Sequence, residues 1–130
     1  MAASVNTEQS STDRWGGMPT PPARVLTLLF TDIEGSTQLL EATGDRYGDL
    51  LNRHLELLRE AIARFNGCEV DVRGDAMFAV FDDVADAVAA AVHGQRSLYE
   101  EPWPHGATLR VRMGIHTGQP RQMSGPKTSF

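Results

Sequence analysis

The spacing of apolar and polar residues predicts the first elements of the chain. An almost continuous apolar run over residues 24–31 predicts a central strand that helices cover on at least one face. A short helix follows over residues 37–42, with Ser36 as its N-cap and Gly44 at its end. Apolar residues three and four positions apart then predict a longer helix over residues 45–66. The residues predicted to be buried on that helix are Leu51, Leu55, Leu58, Ile62 and Phe65.

The second half of the pattern predicts a hairpin, a helix and a final strand. Alternation within "CEVDVRGDAMFAVF" indicates two antiparallel strands joined by a tight turn at Gly74-Asp75. A third helix begins after a cap at Asp82 or Asp83. Its predicted inward-facing residues are Val84, Val88, Ala91 and Leu98. The alternation in "TLRVRMGIH" is typical of a strand with one buried face.

The order of these elements predicts the fold class. A βααββαβ order favours an α+β fold of the ferredoxin-like type, with a mixed or antiparallel sheet and helices on one face. Residues 1–23 are rich in Ser, Thr, Gly and Pro, so we expect a disordered tail and linker there. The single domain is predicted over residues 24–118, and residues 119–130 are expected to be a disordered end.

Composition then excludes several classes of function. The net charge of −5 argues against a nucleic-acid-binding protein, which normally has a basic face. No apolar run is long enough to span a bilayer, so no membrane partner is expected. Cys68 is the single cysteine, which excludes an internal disulfide and agrees with a cytoplasmic location.

Two acidic residues far apart in sequence are predicted to meet at one edge of the sheet. In this topology the first and third strands are antiparallel neighbours, so Asp32 at the first strand's end lies beside Asp75 in the hairpin turn. Two close carboxylates are costly unless a cation lies between them, and Mg²⁺ prefers such oxygen ligands. Gly35 and the helix start after it offer backbone N–H groups to a phosphate. The alternative is ordinary turn chemistry, since Asp at strand ends and Gly-Asp in hairpins are both common.

Three segments together resemble one known family. "LLFTDIEGST", "VRGDAMFAVF" and "LRVRMGIHTG" are similar, in that order, to three blocks of the class III adenylate/guanylate cyclase catalytic domain, most closely of bacterial, actinobacterial-like members. The resemblance covers about residues 24–118. It implies conversion of ATP or GTP into a 3′,5′-cyclic nucleotide and pyrophosphate with two Mg²⁺ or Mn²⁺ ions. It also implies pairing with a second such domain, as a homodimer or as a heterodimer with another cyclase-like domain.

The resemblance also implies roles for individual residues. Asp32 and Asp75 would bind the metal ions, together with the backbone carbonyl of Ile33. The residues beneath the triphosphate would be Gly35, Ser36 and Thr37. Asp71 stands where adenylate-forming members carry a Lys and guanylate-forming members a Glu that reads the purine, so it is compatible with GTP. The alternative for Asp71 is an outward-facing strand residue without that role.

One part of the family's pattern has no counterpart in the sequence. After "GIHTG" the family continues with further strands and a helix, which supply a second purine-reading residue and an Asn and an Arg that stabilise the transition state. The segment "QPRQMSGPKTSF" does not match them. We therefore expect an incomplete class III cyclase fold, truncated and with little or no activity alone. The alternative function is a non-catalytic dimerisation or regulatory module derived from a cyclase.

Other polar residues are assigned structural roles. A phosphatase of the haloacid-dehalogenase type is disfavoured, because the second acidic residue after the first strand is Glu34 and no suitable Lys follows. His116 is expected to be structural, and His54 to lie at the boundary of the long helix's buried face. Cys68 is expected to be a buried or half-buried thiol.

Overall fold

The elements were located in a computed structural model, which describes residues 24–119, and they follow the predicted order. The predicted disorder of residues 1–23 lies outside this range, and so does that of residues 119–130 apart from residue 119 itself. The strands and helices are β1 (Leu26–Ile33), α1 (Ser36–Thr43), α2 (Tyr47–Arg64), β2 (Cys68–Arg73), β3 (Ala76–Phe81), α3 (Val84–Glu100) and β4 (Val111–Gly118). Two short 3₁₀ turns, Gly44–Arg46 and Pro104–Gly106, lie before α2 and before β4.

The four strands form one sheet in the order β2-β3-β1-β4. Each neighbouring pair is antiparallel, with Thr31 opposite Met77 of β3 and Asp32 opposite Arg112 of β4. This arrangement confirms the predicted α+β, ferredoxin-like topology, and it resolves the choice between a mixed and an antiparallel sheet in favour of the antiparallel one.

The helices cover one face of this sheet. Residues of β1 alternate between buried and half-buried, and the buried set includes Leu29 and Ile33, each 2% exposed. Gly94 of α3 lies where an added Cβ would be 3.4 Å from Leu58 of α2 and 3.5 Å from Met113 of β4. The core therefore lies between this face and the two long helices. No helix within residues 24–119 has the combination of length and hydrophobicity that a membrane span requires.

The opposite face of the sheet is apolar but less completely covered. Phe30 of β1 and Phe78 of β3 are half-buried there, and their ring centroids are 5.0 Å apart. This open face carries the side of β1 on which Asp32 lies, because Phe30 and Asp32 are two residues apart on the same strand.

The predicted helix caps are confirmed in two cases and wrong in one. Asp83 accepts a hydrogen bond from the N–H of Ala85 at 2.9 Å, and Gly44 ends α1 with φ 56°. Ser36, however, is the first helical residue, and the N-cap is Gly35. The chain leaves β1 through a left-handed conformation at this position, φ 64° and ψ 39°, which glycine adopts without a steric penalty.

The predicted inward face of α3 is rotated from the observed one. Val84 and Val88 are 50% and 46% exposed, so their predicted burial is wrong, whereas Leu98 is buried as predicted. The other buried residues of α3 are Ala87, Ala90 and Gly94. Small side chains on this face let α3 pack closely against α2 and the sheet, and the bulkier valines therefore lie on its flank.

The buried faces of α2 and β4 also differ from the predicted ones. His54 is 0% exposed, so its placement at a boundary is wrong, and Leu51 and Phe65 are only half-buried. On β4, Met113 lies beneath Gly94, but Ile115, two residues further along, is 41% exposed. The predicted alternation of β4 therefore holds for only part of the strand.

Gly67, between α2 and β2, tests how closely this core is packed. A Cβ added there would lie 2.5 Å from Cε2 of Phe81 and 2.8 Å from Cγ2 of Ile62. We expect Gly67→Ala to lower the free energy of unfolding by about 1–3 kcal/mol through overpacking. Gly48 of α2 has no atom within 4 Å of the corresponding position, so Gly48→Ala is the matched control. Urea denaturation measures both, and equal midpoints for Gly67→Ala and the unchanged chain would contradict this packing.

Candidate functional site

The end of β1 is joined to the β2–β3 turn by a hydrogen bond. The N–H of Ile33 donates to Oδ2 of Asp75 at 2.9 Å, across 42 residues of sequence. Because Thr31 is opposite Met77, Ile33 is level with Asp75. The side chain of Asp75 therefore accepts a hydrogen bond from the β1 backbone just beyond the last backbone pairing of β1 with β3. The carboxylate of Asp75 is thereby held beside the residue that follows Asp32, as the predicted topology requires.

Asp32 is held from the other side of β1. Arg112 of β4 donates two hydrogen bonds to it, from Nε to Oδ1 and from a terminal guanidinium nitrogen to Oδ2, each at 2.9 Å. This is the bidentate geometry in which guanidinium and carboxylate groups pair most strongly. The hydrogen bonds and charge of Asp32 raise the pKa of Arg112, and the charges of Glu34 and Asp75 raise it further.

Asp32 and Ile33 at the end of β1, with Asp75 in the β2–β3 turn, form the rim of the sheet. The oxygen atoms at this rim can fill part of the coordination shell of a hard cation. Asp32, Asp75 and the Ile33 carbonyl belong to two adjoining chain segments, and all offer oxygen. No three His, Cys, Asp or Glu side chains within residues 24–119 cluster closely enough to form a metal site by themselves. Mg²⁺ commonly keeps water and substrate phosphate oxygens as its remaining ligands, so such a partial set fits it. That these residues bind a metal stays a prediction.

The predicted triphosphate residues lie directly after this rim. Gly35 and Thr37 are exposed and Ser36 is half-buried, at the start of α1. A cavity of about 500 Å³ lies next to them. Its lining includes Glu34, Gly35, Gln38, Arg46 and Arg110, but neither Asp32 nor Asp75. The carboxylates of Asp32 and Asp75 therefore lie outside the lining of this cavity.

Asp71, the predicted purine-reading residue, lies on edge strand β2 beyond a register shift between Glu69 and Asp71. Its Oδ2 accepts a 2.7 Å hydrogen bond from Nε of Arg73, and its side chain is 42% exposed. The structure thus places Asp71 on the strand that leads into the Asp75 turn. Its role in reading a base stays a prediction.

A buried polar layer lies on the helix side of Asp75. Nδ1 of His54 is 2.8 Å from the Leu51 carbonyl, which can only accept, so Nδ1 carries the proton in the neutral ring. Nε2 of His54 and Oγ1 of Thr31 are buried and have no hydrogen-bond partner in the described part of the chain. Burial lowers the pKa of His54 and raises that of Tyr47, and the charge of Asp75 acts on both.

Comparison with known proteins identifies the family. A model of the adenylate and guanylate cyclase catalytic domain matches residues 18–122. The chain belongs to this cyclase family. An adenylate cyclase of Mycosarcoma maydis is 32% identical to it over 127 residues, which cover 83% of this chain and 5% of that relative. An uncharacterised protein of Mycobacterium tuberculosis is 32% identical over 101 residues, or 76% of this chain and 33% of the relative.

Solved cyclase structures share the fold. Adenylate cyclases from Trypanosoma brucei, in their monomeric state, include one that superposes with a TM-score of 0.70 at 27% identity, covering 82% of this chain and 62% of that one. The adenylyl cyclase CyaB from P. aeruginosa gives a TM-score of 0.69 at 27% identity, covering 76% and 58%. The cyclase-family chain thus spans less than two thirds of these relatives.

The surroundings of two residues near the predicted metal ligands differ from what the sequence predicted. Arg112 lies inside the block "LRVRMGIHTG", but its pairing with Asp32 depends on the β1–β4 register. His54 was assigned to a boundary, although it stands four residues from Leu58 on the buried side of α2. That helical spacing was a signal for its burial.

The lowered pKa of His54 predicts how stability changes with pH. Below pH 6.5 the unfolded state binds a proton that the folded state does not, so the free energy of unfolding falls as pH drops toward the lowered folded pKa. One such proton contributes at most about 1.4 kcal/mol per pH unit. We expect His54→Gln to flatten the dependence of Tm on pH between about 7.5 and 5.5.

His93→Gln is the control for this measurement, because His93 is partly exposed and 2.9 Å from Glu60. It should keep most of the slope. A His54→Gln variant with the unchanged slope would show that His54 is not the group responsible.

Proposed function

We propose that this cyclase-family domain binds a nucleoside triphosphate with Mg²⁺ or Mn²⁺ and contributes to forming a 3′,5′-cyclic nucleotide and pyrophosphate in intracellular signalling. The hydrogen bond of 2.9 Å from the Ile33 N–H to Asp75 carries this proposal. It supports the proposal because it holds Asp75 next to Asp32, where two carboxylates can face one cation.

Each residue of the rim has a part in this function. Asp32 and Asp75 would hold the metal ions through their carboxylate oxygens, and Ile33 would hold them through its backbone carbonyl. Bound divalent ions would activate the ribose 3′-hydroxyl and neutralise the leaving pyrophosphate. The start of α1, with Gly35, Ser36 and Thr37, comes shortly after Asp32 in the sequence. The backbone N–H groups of these residues therefore lie within reach of the phosphates of a nucleotide held at Asp32.

We further propose that catalysis requires a second cyclase-like domain, in a homodimer or a heterodimer. The chain spans 62% and 58% of two solved cyclase chains, so residues that complete a site can come from outside the described part. The open face of the sheet supports pairing, since Phe30 and Phe78 are only half-buried there. The same face favours the second candidate function, a non-catalytic dimerisation or regulatory module. By itself the chain is expected to form little or no cyclic nucleotide.

Metal binding at the rim is tested by charge-removing variants. Asn at position 75 keeps an oxygen that can accept from Ile33 while removing the charge, so Asp75→Asn should fold normally. We expect Asp32→Asn and Asp75→Asn each to weaken Mn²⁺ binding at least about 10-fold, a loss seen even when only a ligand's neighbour is removed. Calorimetric titration of Mn²⁺, with and without a non-hydrolysable nucleotide, measures this.

Asp45→Asn serves as the control, because Asp45 is an exposed residue of the turn before α2. Its Mn²⁺ affinity should equal that of the unchanged chain. Equal affinity in Asp32→Asn would refute the metal site. Cyclic product formed from Mn²⁺ and ATP or GTP by the purified chain would instead contradict the expectation that this chain by itself forms little or no cyclic nucleotide.

The identity of the purine is tested at Asp71. An ionised carboxylate can accept hydrogen bonds from guanine N1–H and N2–H but cannot donate to adenine. We expect Mn²⁺–GTP to bind more tightly than Mn²⁺–ATP, and Asp71→Lys to reverse that order. Competition against a fluorescent nucleotide analogue measures both affinities. Glu69→Gln, on the same strand, is the control, and an unchanged preference in Asp71→Lys would contradict the assignment.

A further inference from the structure

The Asp32–Arg112 pair occupies the carboxylate that the proposed function gives to a metal. Both oxygens of Asp32 accept hydrogen bonds from the guanidinium at 2.9 Å. The side chain of Asp32 is 21% exposed and that of Arg112 is 65% exposed. A divalent ion approaching Asp32 from solvent therefore meets a carboxylate whose two acceptor atoms are already engaged.

Arg112 is surrounded by carboxylates, whose negative charges favour a cation at its position. Besides Asp32, the carboxylates of Glu34 and Asp75 act on its guanidinium through their charges. Residues 32 and 34 belong to the end of β1 and the turn after it, and residue 75 to the β2–β3 turn. The Arg112 guanidinium thus lies in the field of three carboxylates, two from the end of β1 and the turn after it and one from the β2–β3 turn, and it reduces their mutual repulsion.

We propose that Arg112 is the internal counter-cation of this rim and that it competes with a divalent metal ion for Asp32, thereby lowering the metal affinity of the chain. The proposal rests on the proposed function, because it takes Asp32 as a metal ligand. Metal binding at Asp32 requires at least one of the two guanidinium hydrogen bonds to break. The remaining positive charge repels the incoming ion over a short distance.

A second ion pair, formed at the opposite edge of the sheet, shows why this role differs from surface stabilisation. Arg59 and Glu69 form a similar bidentate pair, at 2.7 and 3.2 Å, between α2 and β2. Both arginines are largely exposed, and exposed pairs of this kind contribute little to stability. What distinguishes Arg112 is its partner, a candidate metal ligand beside a second carboxylate. Its removal should therefore change metal affinity, whereas removal of Arg59 should not.

The test is a titration of the full chain with Mn²⁺ at low ionic strength. Binding is measured by calorimetry or by the loss of the free-ion electron paramagnetic resonance signal. The variants are Arg112→Gln, Arg112→Lys and Asp32→Asn, with Arg59→Gln as the matched control. We expect Arg112→Gln to bind Mn²⁺ about 5- to 20-fold more tightly, and the difference to shrink as salt is added. Arg112→Lys keeps the charge but loses the planar fork, so its Mn²⁺ affinity should lie between that of the unchanged chain and that of Arg112→Gln. Arg59→Gln should match the unchanged chain.

Each outcome separates this proposal from the function on which it rests. If Asp32→Asn abolishes Mn²⁺ binding but Arg112→Gln and Arg112→Lys bind no more tightly than the unchanged chain, Arg112 is not a competitor, although the metal site stands. If Arg59→Gln tightens binding as much as Arg112→Gln, general charge is the cause and the proposal is refuted. If Asp32→Asn binds Mn²⁺ like the unchanged chain, the proposed metal site fails, and the role of Arg112 fails with it.

Discussion

The antiparallel register of β1 between β3 and β4 is the constraint on which the rest of this structure depends. Because β1 has a partner on each side, its last residues meet a hairpin turn and a basic strand residue at the same time. Ile33 donates to Asp75 on one side, and Asp32 pairs with Arg112 on the other. A slip of one residue would turn Asp32 toward the helices. The burial of Leu29 and Ile33, each 2% exposed on the opposite face, opposes such a slip.

The two faces of the sheet surround this rim with different electrostatic environments. On the helix side, α2 brings Tyr47 and His54 near Asp75, and burial favours the neutral form of each by raising the pKa of Tyr47 and lowering the pKa of His54. On the open side, the exposed Arg112 supplies positive charge. Arg112 thus compensates the charge of Asp32 from the open side. In the proposed function a cation would have to bind the same Asp32 oxygens that Arg112 engages, so the arginine would compete with it.

Family membership and activity depend on different features of the chain. Membership follows from the match over residues 18–122 and from the fold shared with solved cyclases. The proposed activity would depend on a donor set that the described residues supply only in part, since no three metal-ligating side chains cluster within residues 24–119. Two carboxylates and a carbonyl leave coordination positions for water and for phosphate oxygens. In the proposed function, metal binding and nucleotide binding would therefore be coupled, because the protein supplies only part of the ligand set.

The sequence by itself determined the element order, the ferredoxin-like topology and the approach of Asp75 to the end of β1. Periodicity and turn chemistry are local, and connection rules leave few topologies for such an order. Only the tertiary structure decided the buried faces of the helices, because helical periodicity defines a stripe and close packing selects its centre. For this reason His54 is buried in the core, whereas Val88 is exposed. The pairing of Arg112 with Asp32 likewise joins residues 80 positions apart, and it follows from a strand register that exists only once the sheet has assembled.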